Sequence, residues 1–100
     1  MEVKELQKLS VEIVDKIDRK LNLSRDPQLT ISQIVEELGE LARVVNSEKL
    51  RNKKPSKKEL EDEIADVFLQ LIKLADMFNI DLEEAVLYKI EILKKRHGFK

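Results

Sequence analysis

IVEELGELARVV, residues 34–45, and LEDEIADVFLQL, residues 60–71, are written on one template. In each, apolar residues stand at the first, fifth, eighth and twelfth places, and acids at the fourth and seventh. A helix turns by about 100° per residue, so those apolar places gather into a seam within roughly 40°. The seam is Ile34, Leu38, Leu41 and Val45 in one segment, and Leu60, Ile64, Val67 and Leu71 in the other. Glu37 and Glu40 fall at about 300° and 240° from the first seam residue, on one flank. Glu63 and Asp66 take the same two angles on the second helix. Two such helices joined by a short polar loop predict an antiparallel pair with four carboxylates at a common edge.

The remaining chain reads as helix on both sides of that pair. Val3 to about Leu23 carries a broad apolar face through Leu6, Ser10, Ile13 and Ile17, and Asn22, Ser24, Asp26 and Pro27 break it. The second helix starts near Thr30 or slightly before and fades around Asn46 to Leu50. RNKKPSKK, Arg51 to Lys58, is a basic loop centred on a proline. Ser56 followed by Glu59 has capping-box spacing and opens the third helix, which Asn79 ends. Asp81 and Glu84 repeat that spacing and open a fourth, with Leu82, Ala85, Val86, Ile90 and Leu93 inward and Gly98 as its stop. The expectation is an all-α, four-helix single domain over residues 1–100.

Composition narrows the classes. The chain has 100 residues, 39% of them charged, with 19 Lys and Arg against 20 acids and a net charge of −1. That balance gives no general pull toward nucleic acid or an anionic membrane. The basic loop residues Lys53, Lys54, Lys57 and Lys58 lack the stacking aromatics of a nucleic-acid binder. The absence of cysteine excludes disulfides, Cys-based zinc sites and cysteine nucleophiles. The N-terminal stretch MEVKELQKLSVEIV has no uninterrupted apolar run of signal-peptide or membrane-span type, and the chain reads as cytoplasmic.

Four carboxylates brought to one partly buried edge repel and raise one another's pKa values unless something neutralises them. A hard divalent cation does this, and Mg²⁺ takes a few carboxylates together with waters and substrate phosphates. On pattern alone two readings stay open: a solvated acidic edge and a cation site. Gly39 costs roughly 0.5–1 kcal/mol inside a helix, so it predicts either a tolerated packing glycine or close approach of a helix, partner or ligand.

EELGE, Glu36 to Glu40, followed by EIAD, Glu63 to Asp66, resembles the EExxE…ExxD signature of the MazG-type nucleoside triphosphate pyrophosphohydrolases. ADVFLQLIKLADMFNIDLEEAVLYKIE, from Ala65, is also similar to that all-α family, and the resemblance runs from about Ile31 to Arg96. It implies that Glu37, Glu40, Glu63 and Asp66 bind Mg²⁺, with Mn²⁺ as a substitute. Glu36 would hold the ion through water or orient the attacking water. The implied reaction is hydrolysis of the α–β phosphoanhydride of an NTP or dNTP to NMP and pyrophosphate. Lys89 and Arg96 are the implied phosphate contacts, and Gln33 a base or sugar contact. Leu93 and Gln70 depart from family positions that often carry Asn and Tyr, which leaves the preferred nucleotide open. The resemblance also implies a homodimer or homotetramer, and the apolar surplus at Leu69, Ile72, Leu87 and Ile92 points the same way. The rival is a non-catalytic helical homo-oligomer that binds protein partners.

Overall fold

Five helices follow one another in the computed structural model, which describes all 100 residues: α1 (Val3–Lys20), α2 (Pro27–Val45), α3 (Ser47–Arg51), α4 (Lys57–Met77) and α5 (Leu82–Arg96). Their ends follow local chemistry. The Asp26 carboxylate accepts from the Leu29 N–H at 2.7 Å and Pro27 opens α2, so this helix begins a turn earlier than Thr30. Ser56 and Glu59 form the expected reciprocal capping box at the start of α4, and Asp81 caps α5 through the Glu84 N–H.

Asn22, Asn79 and Gly98 each adopt a positive φ just past α1, α4 and α5. After α1, Leu23 N–H donates to the Asp18 carbonyl and Asn22 N–H to that of Arg19; the same paired bonds follow α4 and α5. These closures satisfy helix-end carbonyls with residues that tolerate the left-handed region.

The helix count is five rather than four. The Asn46 backbone N–H and side-chain amide both bind the Ala42 carbonyl, at 3.0 and 2.8 Å. This ends α2, and the chain then makes the short α3 where the sequence suggested only a fading helix.

Helix α2 packs chiefly on α4, and α1 packs on α4 and α5. Thr30 lies beside Met77, and Glu37 and Glu40 face Asp66 and Glu63, so α2 and α4 run antiparallel. Ile72, expected among the surplus apolar residues, is instead buried at 1% exposure within this one chain, and with the fully buried Thr30 it anchors the core beside Val14, Ile34 and Ala75. The expected seams are only partly covered. Leu38, Ile64, Leu71, Val86, Ile90 and Leu93 remain exposed, and α5 contains no buried residue.

Polar ties fix how α1 sits. Lys73 donates to Asp15 at 2.7 Å, and the Gln7 amide bridges the α4–α5 turn through the Ile80 carbonyl and the Leu82 N–H. Arg25 holds Asp18 at 2.6 Å and also donates to Gln33 and Gln70. One guanidinium therefore joins α1, α2 and α4. No helix is long and apolar enough to cross a membrane.

Candidate active site

The α2–α4 pairing brings together three of the four acids of the shared template and leaves Glu40 beside them. Glu37, Glu63 and Asp66 each offer a carboxylate oxygen, and the three oxygens lie within 4.8 Å of one another. Glu37 and Glu63 are half-buried, while Asp66, Glu36 and Glu40 are exposed. One oxygen of Glu37 and one of Glu63, both Oε2, are buried without any hydrogen-bond partner. A buried acceptor left unpaired is costly, more so when it carries charge.

Electrostatics agree with this geometry. Burial pushes the Glu37 carboxyl above its ordinary value, and the charges of Glu40, Asp66, Glu63 and Glu36 add to the shift in that order. Glu63 is raised for the same reasons: burial first, then Glu40 and Asp66. Glu40 is thus an electrostatic neighbour of both, although it stands outside the tight group of three. The donor set, oxygen-only and anionic with two unpaired buried acceptors, fits a hard divalent cation such as Mg²⁺.

The other sequence-derived positions separate. Gln33 lies one turn before Glu37, but its Oε1 accepts from Arg25 at 2.5 Å. Gln70, one turn after Asp66, accepts from the same guanidinium at 2.9 Å. Lys89 and Arg96 are exposed on α5. They line neither the acidic group nor the polar cavity beside it.

That cavity, about 290 Å³, was not foreseen from the sequence. Three acids, Glu40, Glu59 and Glu63, and three cations, Arg43, Arg51 and Lys53, line it together. The signal was present in the three-residue steps Glu37, Glu40, Arg43, which continue one flank of α2 beyond the acids.

A model of the MazG nucleotide pyrophosphohydrolase domain matches residues 25–98. The chain belongs to the MazG family. All four acids of the shared template lie inside that match. Among solved MazG-like structures, the Bacillus-conserved MazG protein, a nucleotide pyrophosphohydrolase, superposes with a TM-score of 0.72 at 27% identity, over 93% of this chain and 89% of that one. YPJD from Bacillus subtilis, a protein provisionally described as a pyrophosphatase, superposes with a TM-score of 0.65 at 34% identity, over 95% and 92%. In sequence, the uncharacterized protein YpjD of Bacillus subtilis strain 168 is 44% identical over 62 residues, which cover 59% of this chain and 56% of that relative. The matched stretch thus spans little more than half of the curated relative.

Proposed function

We propose that this MazG-family chain is a Mg²⁺-dependent nucleoside triphosphate pyrophosphohydrolase, cleaving the α–β phosphoanhydride of an NTP or dNTP. The observation that carries this reading is the convergence of Glu37, Glu63 and Asp66 around two buried, unpaired carboxylate oxygens. Glu37, Glu40, Glu63 and Asp66 would hold Mg²⁺, with Mn²⁺ as a substitute. A bound divalent ion supplies a lowered water pKa and neutralises charge on phosphate oxygens.

In the hydrolysis, the water oxygen bonds to the α-phosphorus and the bond to the bridging oxygen breaks. That oxygen leaves with pyrophosphate, and the products are NMP, pyrophosphate and released protons. Glu36, exposed and next to Glu37, would hold the ion through water or orient the attacking water. The reaction needs no covalent nucleophile, which suits a chain without cysteine.

The chain works as a homodimer or homotetramer in this reading. A compact 11.7 kDa monomer exposes about 5,900 Å² by size scaling. This chain exposes 7930 Å². Its radius of gyration is 16.3 Å, against about 13 Å for a compact domain of this length. An apolar hollow of about 780 Å³, lined by Phe68, Phe78, Val86 and Leu87 among others, marks where a further helix layer would sit. Lys89 and Arg96 would then serve a site completed by a second copy. A chain that acts on nucleotide pools would work in the cytoplasm.

The test is pyrophosphate release from mixed NTPs and dNTPs with Mg²⁺. Release that disappears with EDTA, and in both Glu63→Gln and Asp66→Asn, is the expected result. A folded oligomer that releases no pyrophosphate from any nucleotide would overturn the enzyme and leave the protein-binding module.

A further inference from the structure

We propose that the groove between α2 and α4 has a cationic end, built by Arg43, Arg51 and Lys53, that takes the terminal phosphates of the substrate. This rests on the hydrolase reading above and adds a direction to it.

Glu37, Glu40 and Arg43 follow one another on α2 at steps of three, which keeps them on one flank, and Ser47 opens α3 just beyond. At 1.5 Å per residue the three extend over about 9 Å. On the antiparallel α4, Asp66, Glu63 and Glu59 run in the opposite sense. Around Glu37 and Asp66 the groove carries acids without cations. It is mixed where Glu40 and Glu63 enter the neighbouring cavity. That cavity also holds Arg43, Arg51 and Lys53, together with Glu59, whose carboxylate is engaged by Ser56 in the capping box.

Those three cations are held there but are not committed. None forms an ion pair, although Lys57 and Lys58 a turn away pair with Glu61 and Asp62. The local backbone gathers Arg51 and Lys53 at the cavity. The buried Ser47 hydroxyl donates to the Lys53 carbonyl at 2.8 Å, and the Lys53 N–H donates back to the Ser47 carbonyl at 3.3 Å. Asn52 turns between them with φ 54°. This closed turn brings Arg51 and Lys53 over the end of the α2–α4 pair.

An acidic cluster repels a polyphosphate, so the anion needs a positive counterpart at one end. Guanidinium groups meet phosphate oxygens in bidentate fashion, and lysine serves as a point charge. With the α-phosphate at the carboxylates, the β- and γ-phosphates lie toward Arg51 and Lys53. The nucleoside then lies toward Gln33 and Gln70. The same cations would stabilise charge on departing pyrophosphate.

Tripolyphosphate binding, measured by calorimetry with Ca²⁺ present, tests this without turnover. The variants are Arg51→Gln/Lys53→Gln and, as a control, Lys57→Gln/Lys58→Gln. Weakening by about tenfold or more in the first and none in the second is expected. The first variant should also raise KM for a triphosphate while leaving Mn²⁺ affinity unchanged. Tripolyphosphate affinity equal to wild type in the first variant, in an otherwise active enzyme, would overturn the inference alone. Binding that depends on Arg51 and Lys53 in a protein that hydrolyses nothing would support the groove and overturn the hydrolase.

Discussion

Arg25 grips Asp18 with two bonds, Nε to Oδ2 at 2.6 Å and Nη2 to Oδ1 at 3.0 Å, and both side chains are almost out of solvent, at 7% and 10% exposure. The same Nη1 reaches Gln33 and Gln70, each one turn from a carboxylate of the candidate site. The pair therefore joins the fold to the site: it fixes the register of α2 against α4, and that register decides whether Glu37 meets Asp66.

Removing one partner of a buried ion pair costs about 3–5 kcal/mol, because the other charge stays buried. Asp18→Asn should lower unfolding free energy by an amount in that range, read by urea denaturation. A loss below about 0.5 kcal/mol would mean that the pair behaves as a surface contact.

The pH dependence follows in sign. Hydrogen bonding to Arg25 holds the Asp18 carboxyl below its ordinary value of 3.8, and this outweighs the opposing effect of burial. The folded state thus binds this proton less readily than the unfolded chain. The stabilisation is complete above the unfolded value and fades as pH falls through the folded one. The stability difference between wild type and Asp18→Asn should be flat near neutral pH and shrink in acid. A difference that grows in acid would contradict the assignment.

Glu63 presents the opposite case. Burial and the charges of Glu40 and Asp66 raise its carboxyl, so its ionised form strains the metal-free protein at neutral pH. Glu63→Gln should raise the melting temperature of the metal-free protein and abolish the increase that Mg²⁺ gives wild type. Calorimetric melts with and without EDTA read both effects. A variant that melts lower than wild type without metal, yet still responds to Mg²⁺, would place the ion elsewhere.

Gly39 sits in mid-helix, and a Cβ built there would meet nothing within 4 Å. Gly39→Ala should therefore stabilise the chain by about 0.5–1 kcal/mol. Loss of oligomer in sedimentation, with the helix intact, would instead show that a second copy packs against this glycine.

Much of this was legible in the sequence because it is local. Capping at Ser56 and Asp81, stops at Asn22, Asn79 and Gly98, and the twin acidic flanks depend on spacing within a few residues. The α2–α4 pairing followed from the match between two flanks. What the sequence concealed was non-local. Asn46 closing on Ala42 made an extra helix out of a fading one. Arg25 became a buried hub only because three helices meet around it. Arg43, Arg51 and Lys53 share a cavity only because a Ser47–Lys53 turn folds them together. Part of the expected seams, at Leu38, Ile64 and Leu71, stays exposed in the single chain.

The central claim is that water adds at the α-phosphorus of a nucleoside triphosphate held at Glu37, Glu40, Glu63 and Asp66. Hydrolysis in oxygen-18 water with Mg²⁺, followed by mass spectrometry of the products, tests it directly. The account predicts one heavy oxygen in the nucleoside monophosphate and none in pyrophosphate. Label in pyrophosphate, or a product pair of diphosphate and orthophosphate, would contradict it.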